Sequence, residues 1–317
     1  MNKQVPCRPL MDADSTARST RRSRETARAR AAVRLLLSML LCAAGPAHAE
    51  WFFDLDAGAL YDDNLTRAQQ AADVRGDGAA TLAAAAGWYH APSGTDGITL
   101  SLGANSEAYA RFHGLNLISI GGSASYRHKF GLGRDVPWAS ITVSAAHDDY
   151  RGDIRDGDRL EARLEVGKRL GENFDAAVGV EIDRRFASND RPVVPGISGK
   201  PFDLHGQSVG ARAAYDVSDR LQVGARVSAR RGDVVSTTRQ NLDIFLASDA
   251  IAADPTFGSD FYAYRLRGTT TTAKATLSWA LSDRSSLNVG YAVARTAAYD
   301  DLNYLSRLGT ILLAYRY

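Results

Sequence analysis

The chain has 317 residues, and its near balance of 38 Lys and Arg against 36 Asp and Glu conceals a basic first segment and an acidic remainder. Both cysteines, Cys7 and Cys42, lie in that first segment, which excludes disulfides and cysteine-based chemistry from the rest. No stretch after residue 50 approaches the roughly 20 apolar residues of a membrane-spanning helix, so a helical membrane protein is excluded as well.

The first 49 residues have a pattern that is typical of an export signal. In the segment 31–49 an apolar stretch follows basic residues and ends in Ala47-His48-Ala49, which has the form of a signal-peptide cleavage site. This pattern predicts a signal peptide over residues 1–49 that is removed before Glu50. The remainder, residues 50–317, is predicted to form a single domain.

From Trp51 onward, apolar and polar residues alternate in runs of about ten, which is the period of a β-strand. We predict twelve strands at residues 51–61, 79–90, 98–112, 117–130, 138–149, 158–170, 174–186, 206–217, 221–233, 263–280, 285–298 and 304–317. In the sixth strand, for example, Leu160 and Leu164 lie on one face, and Glu161 and Arg163 lie on the other.

The connections favour a transmembrane barrel over a soluble sandwich, which would show the same alternation. Connections after the even strands are short, whereas those after the odd strands include the long segments 62–78, 187–205 and 234–262. Short turns on one side and long loops on the other are typical of outer-membrane barrels. The apolar residues of the segment 234–262 predict that it packs over or into the barrel mouth and narrows the pore.

Aromatic residues lie near both strand ends, as expected for two interfacial girdles. Those near the short turns are Trp51, Phe53, Trp88, Phe130, Trp138, Phe174, Tyr215, Trp279 and Tyr317. Those near the long loops are Tyr61, Phe112, Phe186 and Tyr299.

The chain ends in GTILLAYRY, in which Ile311, Leu313, Tyr315 and Tyr317 share one face of the strand. This motif resembles the C-terminal strand of bacterial outer-membrane β-barrels. Residues 58–65, GALYDDNL, are similar to the first strand and loop of porin-like barrels and, more weakly, of surface-lipoprotein-assembly barrels. The resemblance implies a closed antiparallel up-and-down transmembrane barrel in the bacterial outer membrane. It also implies contacts with membrane lipid, with lipopolysaccharide and with the barrel-assembly machinery, which reads the terminal motif.

Charged residues concentrate on the inward face of strands six to nine. The basic residues of this set are Arg159, Arg163, Arg169, Arg185, Arg212, Arg226 and Arg230, and the acidic residues among them are Glu161, Glu165, Glu181 and Asp183. Two interpretations stay open: adjacent strands neutralise each other through cross-strand ion pairs, or the arginines form a track for carboxylated or sulfated sugars. The opposite wall is lined by small residues, which leaves room for a narrow off-centre pore.

The sequence contains little that predicts catalysis. His147-Asp148-Asp149 is the one cluster resembling an acid and base pair, and a solvated strand end is the favoured interpretation of it. No nucleophile motif, phosphate-binding loop or metal-ligand spacing is found, although the acidic loop residues Asp62, Asp63, Asp153, Asp156 and Asp158 offer an alternative divalent-cation site. We therefore predict no enzyme, no cofactor and no nucleic-acid partner.

The predicted function is a narrow porin-like channel for small polar or anionic solutes. The alternative is a non-conducting surface or assembly partner of a polysaccharide or lipoprotein export system. A third hypothesis, an outer-membrane enzyme, would depend on His147.

Overall fold

The computed structural model describes residues 49–299 and 302–317, so the predicted signal peptide, apart from its last residue, lies outside the described residues. The strands are β1 (Ala49–Asp62), β2 (Asp77–His90), β3 (Asp96–Tyr109), β4 (Leu117–Lys129), β5 (Trp138–Tyr150), β6 (Gly157–Leu170), β7 (Phe174–Ala187), β8 (Leu204–Ser218), β9 (Leu221–Arg239), β10 (Ala250–Ala253), β11 (Phe261–Ser282), β12 (Ser285–Ala298) and β13 (Asn303–Arg316). One short helix, α1 (Leu242–Leu246), and two single-turn 3-10 segments, His113–Leu115 and Asp153–Arg155, lie in the connections.

Twelve of the strands close into an antiparallel barrel, because β1 pairs with β2 on one edge and with β13 on the other. Each remaining barrel strand pairs with its sequence neighbours, except that β9 pairs directly with β11. Closure gives every strand edge a partner, which is the condition for a sheet to cross hydrocarbon. The predicted all-β, closed, up-and-down barrel of about twelve strands is confirmed.

The alternation of side chains has the predicted sense. Large apolar residues on the outward face are well exposed, among them Leu164 at 49%, Val180 at 53% and Val227 at 56%. Their neighbours in sequence, such as Arg163 and Glu181, face the lumen and bond to each other there. An exposed apolar belt around a polar lumen is the arrangement of a membrane barrel, since a soluble core would bury the apolar side instead. No described helix is long and apolar enough to cross a membrane.

Strands β9 and β11 continue beyond their neighbours on the long-loop side, which we call the outer side. Their ladder runs without a break from Trp279 paired with Leu221 to Phe261 paired with Arg239. Strand β12 pairs with β11 only as far as Gly268, and β10 takes over that edge of β11 beyond it. Strand β11 therefore keeps its register with β9 through Arg265 and Arg267 and exchanges the partner on its other edge.

This extension covers the outer mouth, and we call residues 234–267 the outer plug. Its apolar residues contact four other outer connections in three buried clusters: Phe261 with Leu115, Ala252 with Ile154 and Phe202, and Leu266 with Leu302. It reaches the remaining one through the Thr237 amide, which donates to the Thr66 carbonyl at 2.7 Å. A segment that contacts connections around the whole rim must cross the opening, so the predicted packing of residues 234–262 over the mouth is confirmed.

Candidate functional site: the barrel lumen

The predicted arginine track faces the lumen, and carboxylates neutralise most of it. Six of its seven arginines form ion pairs: Arg159 with Asp148 and Glu161, Arg163 with Glu181, Arg169 with Asp175 and Asp216, Arg185 with Asp148, Arg212 with Glu165, and Arg230 with Asp183. These contacts support the cross-strand ion-pair interpretation for most of the set. The four acids predicted among the arginines are all used in this way.

Four of these pairs span an intervening strand, and a glycine lies beneath two of them. Arg230 of β9 reaches Asp183 of β7 with Nε and Nη2 at 2.8 and 2.6 Å from the two carboxylate oxygens. A Cβ at Gly206 of β8 would lie 2.3 Å from the guanidinium. Arg212 likewise reaches Glu165 at 3.3 Å across β7, where Gly179 lies against the Glu165 side chain. The missing side chains let the long arginines lie flat against the wall and leave the bore free.

A second charge cluster lies directly beneath the outer plug. Asp148 of β5 is 1% exposed, accepts a hydrogen bond from the Ser119 hydroxyl at 2.7 Å, and lies 3.5 and 3.8 Å from Arg185 and Arg159. A buried carboxylate needs such compensation, because desolvation strongly disfavours an unpaired charge. This cluster holds the upper ends of β4 to β7 together.

Arg226 differs from the other arginines of the track. It is exposed to the lumen and has no carboxylate partner among the described residues. The register places it directly opposite Arg212 of β8 and directly opposite Lys274 of β11, so three cations stand side by side across three strands. Lys274 is also exposed and lacks a carboxylate partner within the described part of the chain. Like charges directly opposite each other destabilise a sheet, and an anion bound at this row of three cations would reduce their repulsion.

The lumen widens toward the short turns, the inner side of the barrel. A cavity of about 570 Å³ opens there and is lined by Arg127, Lys129, Trp138, Glu165 and Arg212 together with several Ser and Thr hydroxyls. A second cavity of about 500 Å³ lies beside Arg169 and Asp216. A small pocket of about 20 Å³ lies against strands β6 to β9 near Arg163, Glu181 and Arg226.

Trp138 does not belong to the interfacial girdle in which the sequence placed it. It pairs with Gly167 of β6 and is only 9% exposed. Its side chain faces the lumen, where the Arg127 guanidinium lies 4.2 Å from the centre of the Trp138 ring. The residue alternation of β5 would have identified this position. Ile141 and Val143 face outward, so the even-numbered Trp138 must face inward. Lys274 and Arg127 were missed as well, and the parity of their strands identifies them in the same way.

His147 and Asp148 of the predicted histidine cluster do not form an acid and base pair. His147 points outward and its Nδ1 lies 2.8 Å from Asp158, whereas Asp148 points into the lumen. Adjacent residues of a strand face opposite sides of the sheet, so the two cannot act on one substrate. Among residues 49–299 and 302–317, no three His, Cys, Asp or Glu side chains come together as a metal site.

The terminal motif lies on the lipid-facing surface. Ile311, Leu313, Tyr315 and Tyr317 are 41 to 73% exposed, and they alternate with inward residues such as Leu312. The strand that carries them closes the barrel against β1. Their role as an assembly signal stays a prediction.

Known structures place this architecture among outer-membrane barrels. No family model and no curated protein matches the sequence. An outer-membrane channel from Pseudomonas putida F1 is similar over 86% of this chain and 97% of that chain, with 12% sequence identity and a TM-score of 0.50. The porin NanC aligns over 82% of this chain and 98% of its own, with 8% identity and a TM-score of 0.46. The porin KdgM, in complex with disordered oligogalacturonate, aligns over 83% and 98%, with 9% identity and a TM-score of 0.45. The prediction of a bacterial outer-membrane barrel is confirmed at the level of fold.

Proposed function

We propose that this barrel is a narrow, plugged channel of the bacterial outer membrane that passes small anionic solutes. The observation that carries the proposal is the row of Arg212, Arg226 and Lys274, which faces the lumen with Glu165 as its one paired carboxylate. A purely structural charge layer would pair every cation, as the other arginines of the track do. Two cations left free on the lumen wall create a positive potential there, which concentrates anions and excludes cations.

The cavity below the row supports the same function. Trp138 presents an aromatic wall, Arg127 and Lys129 add positive charge, and Ser and Thr hydroxyls supply neutral hydrogen-bonding groups. Such a surface suits a solute that carries a carboxylate or sulfate on a polar, hydroxylated body. A solute of this kind would exchange its hydration shell for guanidinium and hydroxyl contacts on its way through the bore.

The outer plug supports a gated channel. It closes the outer mouth, yet one chain segment supplies it, and the barrel wall below is complete without it. Because Arg239 pairs with Phe261, removal of residues 241–259 leaves a two-residue connection between β9 and β11, and replacing Gln240 and Asp260 by Asn and Gly makes a favourable hairpin turn. The plug can therefore be shortened without cutting the wall.

Planar-bilayer recording of the full chain and of this shortened variant tests the proposal. We expect brief, small conductance steps from the full chain and a larger, steady conductance from the variant, with a reversal potential in a KCl gradient that indicates chloride preference. Absence of discrete conductance from folded variant protein would overturn the channel function. That result would favour a non-conducting partner of an export system.

A further inference from the structure

The outward face of the barrel carries a cluster of arginines that the channel function does not use. Arg231 of β9, Arg267 of β11 and Arg295 of β12 point away from the lumen and are exposed. None of the three has a carboxylate or aromatic partner among residues 49–299 and 302–317. A fourth, Arg307 of β13, lies beside them and is neutralised by Asp63 at 3.1 Å. We call Arg231, Arg267 and Arg295 the outer arginine cluster.

The strand registers bring the cluster together. Arg231 pairs with Thr269, so it is a diagonal neighbour of Arg267 two residues along β11. Arg295 pairs with Thr271 on the other edge of the same strand. Diagonal neighbours in a sheet lie roughly 7 to 8 Å apart, within reach of long side chains. Arg295 lies further off, because it pairs with Thr271, four residues along β11 from Arg267. The three guanidinium groups therefore border a patch of wall that includes the hydroxyls of Thr269 and Thr271. The Asp233 carboxylate, directly opposite Arg267 on the same face, is 5% exposed and lies 2.7 Å from the His205 ring.

The cluster lies at the boundary between the apolar belt and the outer surface. Further toward the inner side, the outward positions become apolar: Ala229 on β9, Val293 on β12 and, beyond two threonines, Ala273 on β11. Arg231 is ten residues from Leu221, where β9 begins. At ~3.3 Å per residue and a strand tilt near 40°, it lies roughly 25 Å from the inner rim, which is the height of the apolar band of such barrels. Arg295, at the level of Ala229, and Arg267, opposite Asp233, are eight and twelve residues from the same rim. The three arginines therefore lie roughly 20 to 30 Å from the inner rim, around the boundary between the apolar band and the outer headgroups.

On the outward face of strands β5 to β8, two basic groups near the outer rim have carboxylate partners: His147 lies 2.8 Å from Asp158, and Arg184 lies 2.8 Å from Asp203. The contrast matters because an unpaired guanidinium next to hydrocarbon is costly unless an anion in the headgroup region accepts its hydrogen bonds. Phosphate is the anion whose geometry best fits the arginine fork.

We propose that the outer arginine cluster is a binding site for the phosphorylated headgroup of an outer-leaflet glycolipid, the lipid A part of lipopolysaccharide. Each guanidinium donates paired hydrogen bonds to phosphate oxygens, and Thr269 and Thr271 donate to the sugar. The acyl chains lie along the apolar outward residues of β9, β11 and β12 below. The site is independent of the lumen, so it stands whether or not the barrel conducts.

The test measures binding of bisphosphorylated lipid A, and of the same lipid after enzymatic dephosphorylation, to the full chain in detergent by native mass spectrometry. We expect the phosphorylated lipid to bind preferentially. The variant R231Q/R267Q/R295Q should lose roughly 100-fold in affinity, since each surface cation contributes about a fivefold factor toward anionic lipid. The variant R231K/R267K/R295K, which keeps the charge but not the paired donors, should fall between the two.

The matched control removes three cations from the other end of the barrel. Lys168 faces outward near the inner rim, and Arg220 and Arg284 lie in short turns, so K168Q/R220Q/R284Q has the same net charge as the glutamine variant. Its affinity for lipid A should equal that of the parent. Heat-modifiable migration on a gel shows that each variant is folded before binding is compared.

Three results would overturn the proposal. The first is equal binding of phosphorylated and dephosphorylated lipid. The second is equal loss of affinity in the control and in the glutamine variant. The third is equal affinity for phosphatidylglycerol bicelles, which would make the cluster a general anionic-surface contact. If a folded glutamine variant cannot be obtained, the lysine variant and the two forms of the lipid still decide the matter.

Discussion

Arg155 and Asp254 lie 99 residues apart in the chain and form a buried ion pair between the connection before β6 and the outer plug. Nη1 of Arg155 lies 3.1 Å from Oδ1 of Asp254. Their side chains are 8% and 0% exposed. Arg155 belongs to the connection between β5 and β6, whereas Asp254 follows β10 within the plug. The Arg155 guanidinium also lies 4.8 Å from the centre of the Phe202 ring, so one side chain joins the rim, the plug and a third loop. This pair is the buried ion pair among the contacts that hold the plug to the outer connections, beside the three apolar clusters and the hydrogen bond from Thr237.

Breaking that pair should open the channel. Removing one partner of a buried ion pair costs about 3 to 5 kcal/mol, because the other charge remains unpaired. We expect D254N to raise the fraction of time in the conducting state at least tenfold in bilayer recordings. The double variant R155M/D254L, which removes both charges, should lie closer to the parent than D254N does.

The neighbouring pair between Arg191 and Asp153 is the control, because its side chains are 56% and 48% exposed. Exposed pairs contribute about 0 to 1 kcal/mol, so R191Q should leave the open fraction nearly unchanged. A D254N channel that stays as closed as the parent would show that the pair does not hold the plug.

Ion selectivity depends on the unpaired part of the cationic row. In R226Q/K274Q the lumen keeps its ion pairs and loses only the cations without carboxylate partners in the described chain. We expect the reversal potential in a tenfold KCl gradient to move toward that of a non-selective or cation-preferring pore. The substitution K168Q, on the outward face, removes charge without facing the lumen and should not change the reversal potential. An unchanged potential in the double variant would contradict the role of the row.

Gly206 should matter because of the arginine that crosses it. In G206A the new methyl group would lie 2.3 Å from the Arg230 guanidinium, so the flexible side chain must lift and lose its bonds to Asp183. We expect a folded barrel with a smaller conductance and a loss of roughly 1 kcal/mol in the free energy of unfolding, since the pair is partly exposed. At Gly309 a Cβ would meet no atom within 4 Å, so G309A is a matched substitution that should change neither quantity. Equal behaviour of both variants would refute the bridging role.

Asp156, in the outer connection before β6, gives a pH dependence. Burial raises the pKa of its carboxyl above the ordinary value of 3.8, and the hydrogen bond from the Tyr150 amide opposes this shift only in part. A raised pKa in the folded state means that ionisation disfavours folding, so stability is lost as the pH rises from 3.8 through the folded-state pKa. We expect D156N, which keeps the acceptor oxygen, to be slightly more stable than the parent at pH 7 in urea titrations. The difference should vanish below pH 3.8. Greater stability of the parent at pH 7 would contradict this assignment.

The residue alternation alone determined most of the architecture. Twelve barrel strands, the short inner turns, the long outer loops and the inward direction of the arginine track follow from it, because a strand places successive side chains on opposite faces whatever its neighbours are. The same rule would have placed Trp138 in the lumen, so that error came from reading composition in place of parity. It also separates His147 from Asp148, which agrees with the sequence analysis in disfavouring an acid and base pair. The apolar content of residues 234–262 was enough to predict a covered mouth.

Only the tertiary structure decided which charges meet. Arg230 reaches Asp183 across an intervening strand, and Arg226 lies opposite two other cations. These distances depend on the stagger between β7, β8, β9 and β11, and strand parity gives no information about that stagger. The partner exchange of β11 at Gly268 and the union of Arg155 with Asp254 likewise depend on where distant loops fold over the mouth. Local sequence specifies the face of each side chain, whereas the closure of the barrel specifies its neighbour.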